Sequence, residues 1–477
     1  MKSNAKPSMI RISAAYAVCS IIQRGISFLT IPIFTRILTT EQYGQTIVYQ
    51  SWEELLTVFL TLQLPYGSFS KAMVQFEDQR DAYTASVEGI CLLLSCVFLL
   101  LYLPFNWIWT PLFRLPPPLM VMMVLEILAN AGIAFWSGKK RFEYRYIGVI
   151  SVTLLLSVLT PALQFLFVFR ADEKGYAKIA GGAVAMILTG GVIFILGIIK
   201  GKKIYRKEFW QYAFRFNIPL IVYYLSQILF NTSDRIMIDR MCGTDNAGIY
   251  GTAYNLAMAL TFVLNAVNNS YTPWIYQKIK EKKQAENKNV SNAVSVLLAF
   301  LLMGVIWFAP EIIYLLGGQA YTEAKWVVFP VALSILLLFY TQISANYEFY
   351  FEDKKTLILA AVSSALINIF LNAVLIPVFG YCAAGYTTLC SYLFLAYCNY
   401  LGAKRIAREQ KIEDMGIDVK MLCLLFLAAA LTGSIGMVLY DFLILRIIIT
   451  IIVLFVLFLF RKKVADSYHK IKNALSK

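Results

Sequence analysis

Apolar runs of roughly 18–25 residues recur about fourteen times along this 477-residue chain. Their centres fall near Arg24, Leu56, Cys96, Ala129, Val158, Ile187, Ile228, Leu260, Phe300, Leu338, Leu366, Leu393, Ala430 and Val453. A run of this length crosses a bilayer as a helix, because every backbone N–H and C=O in hydrocarbon must be bonded within the segment. The expected fold class is therefore an all-α polytopic membrane protein with about 14 transmembrane helices. Composition agrees. The chain is 59% hydrophobic and only 15% charged, with a mean hydropathy of +0.65, where soluble domains average ~45–50% apolar and ~25% charged. No polar stretch is long enough for a soluble domain. The start, "MKSNAKPSMIRIS", lacks the short apolar core and cleavage site of a signal peptide, so the first apolar segment is expected to stay as a span.

The net charge of +15 reads as a topology signal rather than a nucleic-acid footprint. With the N-terminus inside, Lys and Arg divide roughly 33 cytoplasmic, 5 outside and 5 within spans. The cytoplasmic clusters include "GKKRFEYRY", "KGKKIYRKE", "QKIKEKKQAENK", "GAKRIAREQK" and "RKKVADSYHKIK". Both termini are thus expected on the cytoplasmic side, and no aromatic-basic module supports nucleic-acid binding. The eight cysteines include no CxxC and lie almost all within spans, as small buried apolar residues do. His469 is the sole histidine and sits in the basic tail, which argues against His-based catalysis and His-containing metal sites. Outer loops such as "TTEQYGQ", "CGTDNAGIYG" and "FGYCAAG" are too short to hold an active site. The longest, "LPFNWIWTPLFRLPPP", carries Trp107 and Trp109 as an interfacial belt would. No GxxxxGK[ST] occurs, so ATP hydrolysis has no phosphate loop. No enzyme activity and no cofactor are expected, with H+ or Na+ left open as a coupling ion. Function is placed within the bundle.

An internal repeat relates "RILTTEQYG", closing the first span, to "RMCGTDNAG", closing the seventh. Arg36 and Arg240 are each followed by an acid (Glu41, Asp245) and then by a glycine (Gly44, Gly248), and the same offset superimposes Gln23 on Gln227. Six spans separate the copies, so both halves enter the membrane in the same direction, a parallel repeat of the kind found in transporters. The expected organisation is an N-lobe over 1–200 (helices one to six) and a basic cytoplasmic linker over 201–215. A C-lobe over 216–403 (helices seven to twelve) follows, then 404–477 with two extra helices and a basic cytoplasmic tail.

Charges lie inside these spans. An ionised side chain at mid-bilayer costs roughly 2.5–3.5 kcal/mol on insertion scales, so it must reach an interface or face a polar interior. At about 100° per residue, Asn217, Tyr224, Gln227, Asn231, Asp234, Arg235 and Asp239 share one side of helix seven, and Arg235 and Asp239 are spaced to pair. Arg240 falls off that stripe near the outer end, from which it can snorkel. Helix one repeats the pattern through Ser13, Tyr16, Ser20, Gln23, Arg24, Ser27 and Thr30, with Arg36 off the stripe. Helix two adds Glu53 and Glu54, helix four Glu126 and Asn130, and helix eight Asn255, Asn265, Asn268 and Asn269. The candidate cavity-lining residues are Arg24, Gln23, Glu53, Glu126, Gln227, Asn231, Asp234, Arg235, Asp239 and Asn265. The acids either bind substrate or neutralise the arginines, and the asparagines either face water or bond helix to helix.

The stretch "RGISFLTIPIFTRILTTEQYGQ", through Arg24, Pro32, Arg36, Leu38 and the Tyr43-Gly44 turn, resembles the first-helix signature of bacterial polysaccharide and O-antigen flippases. These form the polysaccharide-transporter branch of the multidrug/oligosaccharidyl-lipid/polysaccharide exporter superfamily. "SDRIMIDRMCGTDNAGIYGTAYNLA", through Asp234, Arg235, Gly248 and Tyr250, resembles the same family's seventh helix and following loop. The resemblance in span layout covers nearly the whole chain. It implies two pseudo-symmetric six-helix lobes in a V around a central cavity, plus two C-terminal helices. The implied activity is alternating-access flipping of polyprenyl-pyrophosphate-linked oligosaccharide repeat units from the cytoplasmic to the outer leaflet, for capsule or O-antigen synthesis. The implied partners are an undecaprenyl-pyrophosphate-linked glycan, membrane lipids and the polysaccharide polymerase machinery, in a bacterial cell membrane. On this reading Arg24 and Arg235 attract the pyrophosphate. A cation-coupled multidrug exporter or a lipid II flippase of the same fold is the alternative; a membrane polysaccharide polymerase lacks the expected catalytic domain.

Overall fold

A computed structural model describes residues 9–459. In chain order, α1 (Met9–Ile37) and α2 (Thr40–Thr61) precede a short α3 (Phe69–Gln75), α4 (Arg80–Tyr102) and a short α5 (Asn106–Phe113). Next come α6 (Pro117–Phe142), α7 (Tyr146–Arg170), α8 (Lys174–Gly201) and α9 (Lys207–Cys242). Then follow α10 (Thr244–Met258), α11 (Thr261–Lys280), α12 (Asn287–Trp307), a short α13 (Ala309–Gly317) and α14 (Lys325–Tyr350). The series ends with α15 (Lys354–Phe379), α16 (Cys382–Glu409), α17 (Val419–Val438) and α18 (Leu443–Leu459). Among the described residues there is no strand, and the fold is all-α. The basic tail with His469 lies outside the described residues.

The fourteen sequence-derived centres all fall on helix except Leu260, which lies in the break between α10 and α11. Short i→i+3 bonds, such as Phe262 N to Ala259 O at 3.2 Å, re-use the backbone groups freed there. Eleven helical stretches among the described residues are long and apolar enough to cross a membrane. α2 and α16 fall outside that set because tyrosines, threonines and charges are spread along them. The loop carrying Trp107 and Trp109 forms α5, with Trp107 well exposed.

The chain packs as two compact units, Met1–Gly248 and Ile249–Lys477, so α9 belongs to the first. Small residues let helix backbones approach where no hydrophobic force drives helices together in lipid. In the first unit Gly190 of α8 lies against the backbone of Ala129 on α6, and Gly132 of α6 against Phe194 of α8. At the basic-loop end, Phe69, Phe76, Tyr83, Phe135 and Phe209 make an aromatic cluster joining α3, α4, α6 and α9. Asn217 completes this anchor: its Oδ1 accepts from Ser68 N at 3.2 Å and its Nδ2 donates to Ser68 Oγ at 2.8 Å.

The N-terminal ends of α2 and α10 meet through Gly44 and Gly248. α2 starts with a capping box, in which Thr39 Oγ1 accepts from Gln42 N at 3.1 Å and Gln42 Oε1 from Thr39 N at 3.2 Å. Gly243, at φ +101°, ends α9 and lets α10 begin at Thr244. A Cβ on Gly44 would strike Thr244 O; one on Gly248 would strike Thr40 O and sit 2.8 Å from Gly44 N. Each glycine therefore faces the first turn of the other's helix.

In the second unit α14 is the most buried span and packs along α16, with α12 and α17 on another side. α18 is fixed by Arg446, whose side chain is fully buried. Its guanidinium donates to both carboxyl oxygens of Glu311 on α13, at 2.6 and 2.9 Å, and to the backbone carbonyls of Trp307, Leu439 and Tyr440. Burial alone would push the Glu311 carboxyl up, but the Arg446 guanidinium outweighs it and holds the group below its usual value. A depressed carboxyl adds stability above its unfolded pKa and loses it as pH falls through the folded one. Arg446→Ala is expected to lower the melting temperature in detergent by several degrees at pH 7, about 1–3 kcal/mol. The difference from the parent should shrink below pH 4; an equal gap at pH 3 and pH 7 would exclude the ion pair as its source.

Candidate functional site

α2 is the spine of the polar region in the first unit. Tyr43, Thr46, Tyr49, Gln50, Glu53, Glu54 and Thr57 fall within roughly 140° on its circumference. α6 supplies the facing partners. Tyr49 Oη donates to Glu126 Oε2 at 2.9 Å, and Asn130 Nδ2 donates to Glu53 Oε1 at 3.2 Å. The Glu53 carboxyl is close enough to those of Glu126 and Glu54 to interact electrostatically with both. Two carboxyls on adjacent helices, each held by a neutral donor, make an acidic patch near the middle of α2.

Cations approach the same spine from two other helices. Arg235 of α9 is buried and interacts electrostatically with Glu54 and with Tyr43. Lys178 of α8 is also buried. Its Nζ lies 4.6 Å from the Tyr43 ring centroid and 4.9 Å from that of Phe34, and donates to Thr46 Oγ1 at 3.3 Å. Rings supply a negative face to the ammonium where water is absent. Gly175 brings the start of α8 against α2, since a Cβ there would meet Gln42 O at 2.8 Å. The region thus brings acids on α2 and α6 together with cations from α8 and α9.

The ten sequence-derived residues are distributed as follows. Glu53, Glu126 and Arg235 come together on α2, α6 and α9. Asp234 and Asp239 are buried on α9, while Gln227 and Asn231 are half-buried, with Asn231 Nδ2 donating to Gln227 O at 2.9 Å. Asp239 is tied to the start of α10 and the turn after α5: Thr244 Oγ1 donates to its Oδ1 at 2.6 Å, and Arg114 lies 3.4 Å from its Oδ2. Arg240, expected to snorkel, donates instead to Pro111 O of α5 at 2.8 Å. Gln23 and Arg24 lie on an exposed stretch of α1, which packs mainly along α7. Asn265 is exposed on α11 in the second unit, whereas Asn268 bonds Gln342 of α14. Asn217, on the same stripe of α9, is spent on Ser68.

Sequence reading passed over Tyr49, Lys178 and Arg114. The signal for Tyr49 was present in the polar stripe of α2, which has the same angular width as the one on helix seven. Lys178 stands close to a helix start, where a lysine is ordinarily solvated, and Arg114 reaches Asp239 only through the turn after α5.

The geometry fits a known class of fold. The structure aligns with the lipid II flippase MurJ in its inward closed conformation at a TM-score of 0.67 and 14% identity, covering 94% of this chain and 99% of that one. It also aligns with an inward-facing multidrug resistance MATE family transporter of the MOP superfamily, at 0.64 and 12% identity, over 84% of this chain and all of that one. The fold is that of the MOP superfamily. Among relatives in sequence, Lsg locus putative protein 1 of Haemophilus influenzae is 24% identical over 382 residues, 75% of this chain and 88% of that protein. An uncharacterized membrane protein of the same organism is 22% identical over 398 residues. The polysaccharide biosynthesis protein family matches residues 11–279, more than half of the chain. The chain belongs to that family.

Proposed function

We propose that this protein flips polyprenyl-pyrophosphate-linked oligosaccharide repeat units from the cytoplasmic to the outer leaflet by alternating access, for capsule or O-antigen synthesis. The observation that carries the reading is the set of acids and cations on α2, α6, α8 and α9, within a chain of the polysaccharide biosynthesis family. A sugar-pyrophosphate headgroup is large, hydroxyl-rich and anionic, while its polyprenyl tail can remain in lipid. Arg235 and Lys178 supply attraction for the phosphates; Tyr49, Asn130, Gln227 and Asn231 supply hydrogen bonds for sugars. Glu53 and Glu126 keep the empty path from being purely cationic, and they are where H+ or Na+ coupling would act. Asp234 and Asp239 add acids to α9, and Arg24 on α1 and Asn265 on α11 are proposed as further substrate contacts.

The protein would sit in a bacterial cell membrane with both termini cytoplasmic, which places the basic loops inside. The polymerase that joins repeat units would take its product. Chemistry of this kind involves no covalent step by the protein. The Glu53–Glu126 pair favours one second reading, a cation-coupled exporter of cationic drugs on the same fold.

Deleting the gene separates the two. The expected result is loss of surface polysaccharide, with lipid-linked repeat units accumulating in the cytoplasmic leaflet. Normal polysaccharide together with new drug sensitivity would replace the flippase by the exporter.

A further inference from the structure

A second binding surface lies away from the α2 network, at the basic-loop end of the first unit. A cavity of about 450 Å³ opens there between α6, α7 and α8. Lys139, Lys140, Arg145 and Lys200 line it together with two carboxylates, Asp81 and Glu143. Glu143 accepts from Lys140 Nζ at 2.6 Å and lies 4.0 Å from Arg145. Four cations against two acids leave two positive charges over. Lys139, buried in the floor, bonds Asp81 and lies near the Glu88 carboxyl, so it is committed to the protein.

The walls are apolar. Trp136 lies across Gly148 of α7, and Leu196 of α8 contributes a side chain that is 47% exposed. Just outside, Ile147 and Ile199 are 68% and 63% exposed. On a helix bundle in a membrane, such residues face lipid. The site therefore combines a cationic rim at headgroup level, an indole at the interface and an apolar face open to acyl chains.

We infer that this cavity holds the headgroup of an anionic glycerophospholipid from the cytoplasmic leaflet, with its chains along α7 and α8. Two unmatched positive charges suit a phosphodiester, and the volume takes phosphate and glycerol but not a pyrophosphate bearing several sugars. Cytoplasmic placement rests on the orientation proposed above; lipid binding itself does not. Occupancy would fix the ends of α6, α7 and α8 to the bilayer surface while the α2 network stays untouched.

The test is native mass spectrometry of the full chain released from detergent containing phosphatidylglycerol or phosphatidylcholine. The parent should retain phosphatidylglycerol in preference, and K140Q/R145Q/K200Q should reduce that retention by at least about tenfold. A matched K404Q/R408Q/K411Q variant should leave retention unchanged. Equal loss in both triples, or none in the first, overturns the site. Should the first triple fail to fold, retention by the parent must still fall with added salt; salt-independent retention also overturns it. Displacement of phosphatidylglycerol by undecaprenyl pyrophosphate at equal concentration would assign the cavity to the transported lipid instead. Failure of flipping in cells with phosphatidylglycerol retention intact would strike the transport reading alone.

Discussion

Gly248→Leu and Gly44→Leu are each expected to abolish the folded protein. The obstacles to a side chain at these positions are backbone atoms: Thr244 O for Gly44, and Thr40 O and Gly44 N for Gly248. A flexible neighbour could turn aside, but a helix start cannot. Overpacking an ordinary core costs about 1–3 kcal/mol, and here α2 and α10 would have to part at their N-terminal ends, losing the contact altogether. The measurement is the monodisperse fraction after detergent extraction, expected to fall below about a tenth of the parent. Gly44→Ala and Gly248→Ala should fall between, because even a methyl meets these atoms. A leucine variant that extracts and exports normally would mean that the two helix starts are not in contact in the membrane.

The second large effect concerns transport. Arg235→Ala should reduce surface polysaccharide by at least about a hundredfold, with the protein's membrane level within about twofold of the parent. Hydrogen bonds to a charged group are worth about 1.5–3 kcal/mol each, so losing a two-pronged guanidinium contact to phosphate corresponds to a factor of about a hundred or more. The guanidinium lies near Glu54 and Tyr43 and is the α9 contribution to the network. Arg235→Lys keeps the charge without the planar fork and should restore part of the export. Both variants are read by surface polysaccharide staining beside a membrane immunoblot. Full export by Arg235→Ala would remove the residue from the path; loss of both export and protein would make it a folding residue.

Sequence patterning located nearly every span because hydrocarbon imposes one rule on all of them: a long apolar helix with internally bonded backbone. The exceptions are informative. Leu260 marks the centre of an apolar run, yet the chain breaks there, because apolarity reports depth in the membrane and not continuity of the helix. Glu53, Glu126 and Arg235 were legible as intramembrane charges, but their grouping was not. Hydropathy orders spans along the chain, whereas the juxtaposition of α2 with both α6 and α9 is a property of packing. The polar stripe of α9 shows the same limit. Asn217 and Asp239 share a stripe with Arg235 on the helical wheel, and only three-dimensional contacts reveal that one pins Ser68 and the other Thr244 and Arg114. Gly44 and Gly248 were readable as special positions because close approach of two helix starts excludes a side chain at both.

The buried Arg446 has a consequence for the order in which the protein is made. α18 is otherwise among the most apolar stretches of the chain, "LILRIIITIIVLFVLFL", and its arginine has every donor-bearing nitrogen bonded. Those acceptors, Trp307, Glu311, Leu439 and Tyr440, are all synthesised earlier. The guanidinium thus leaves the translocation machinery after its destination has been built, and it need never rest unpaired in lipid. A ribosome stalled just before Arg446 leaves Glu311 with Lys325, the other cation that acts on it, already in the chain. Synthesis can therefore pause upstream of α18 without leaving this carboxylate without a nearby cation.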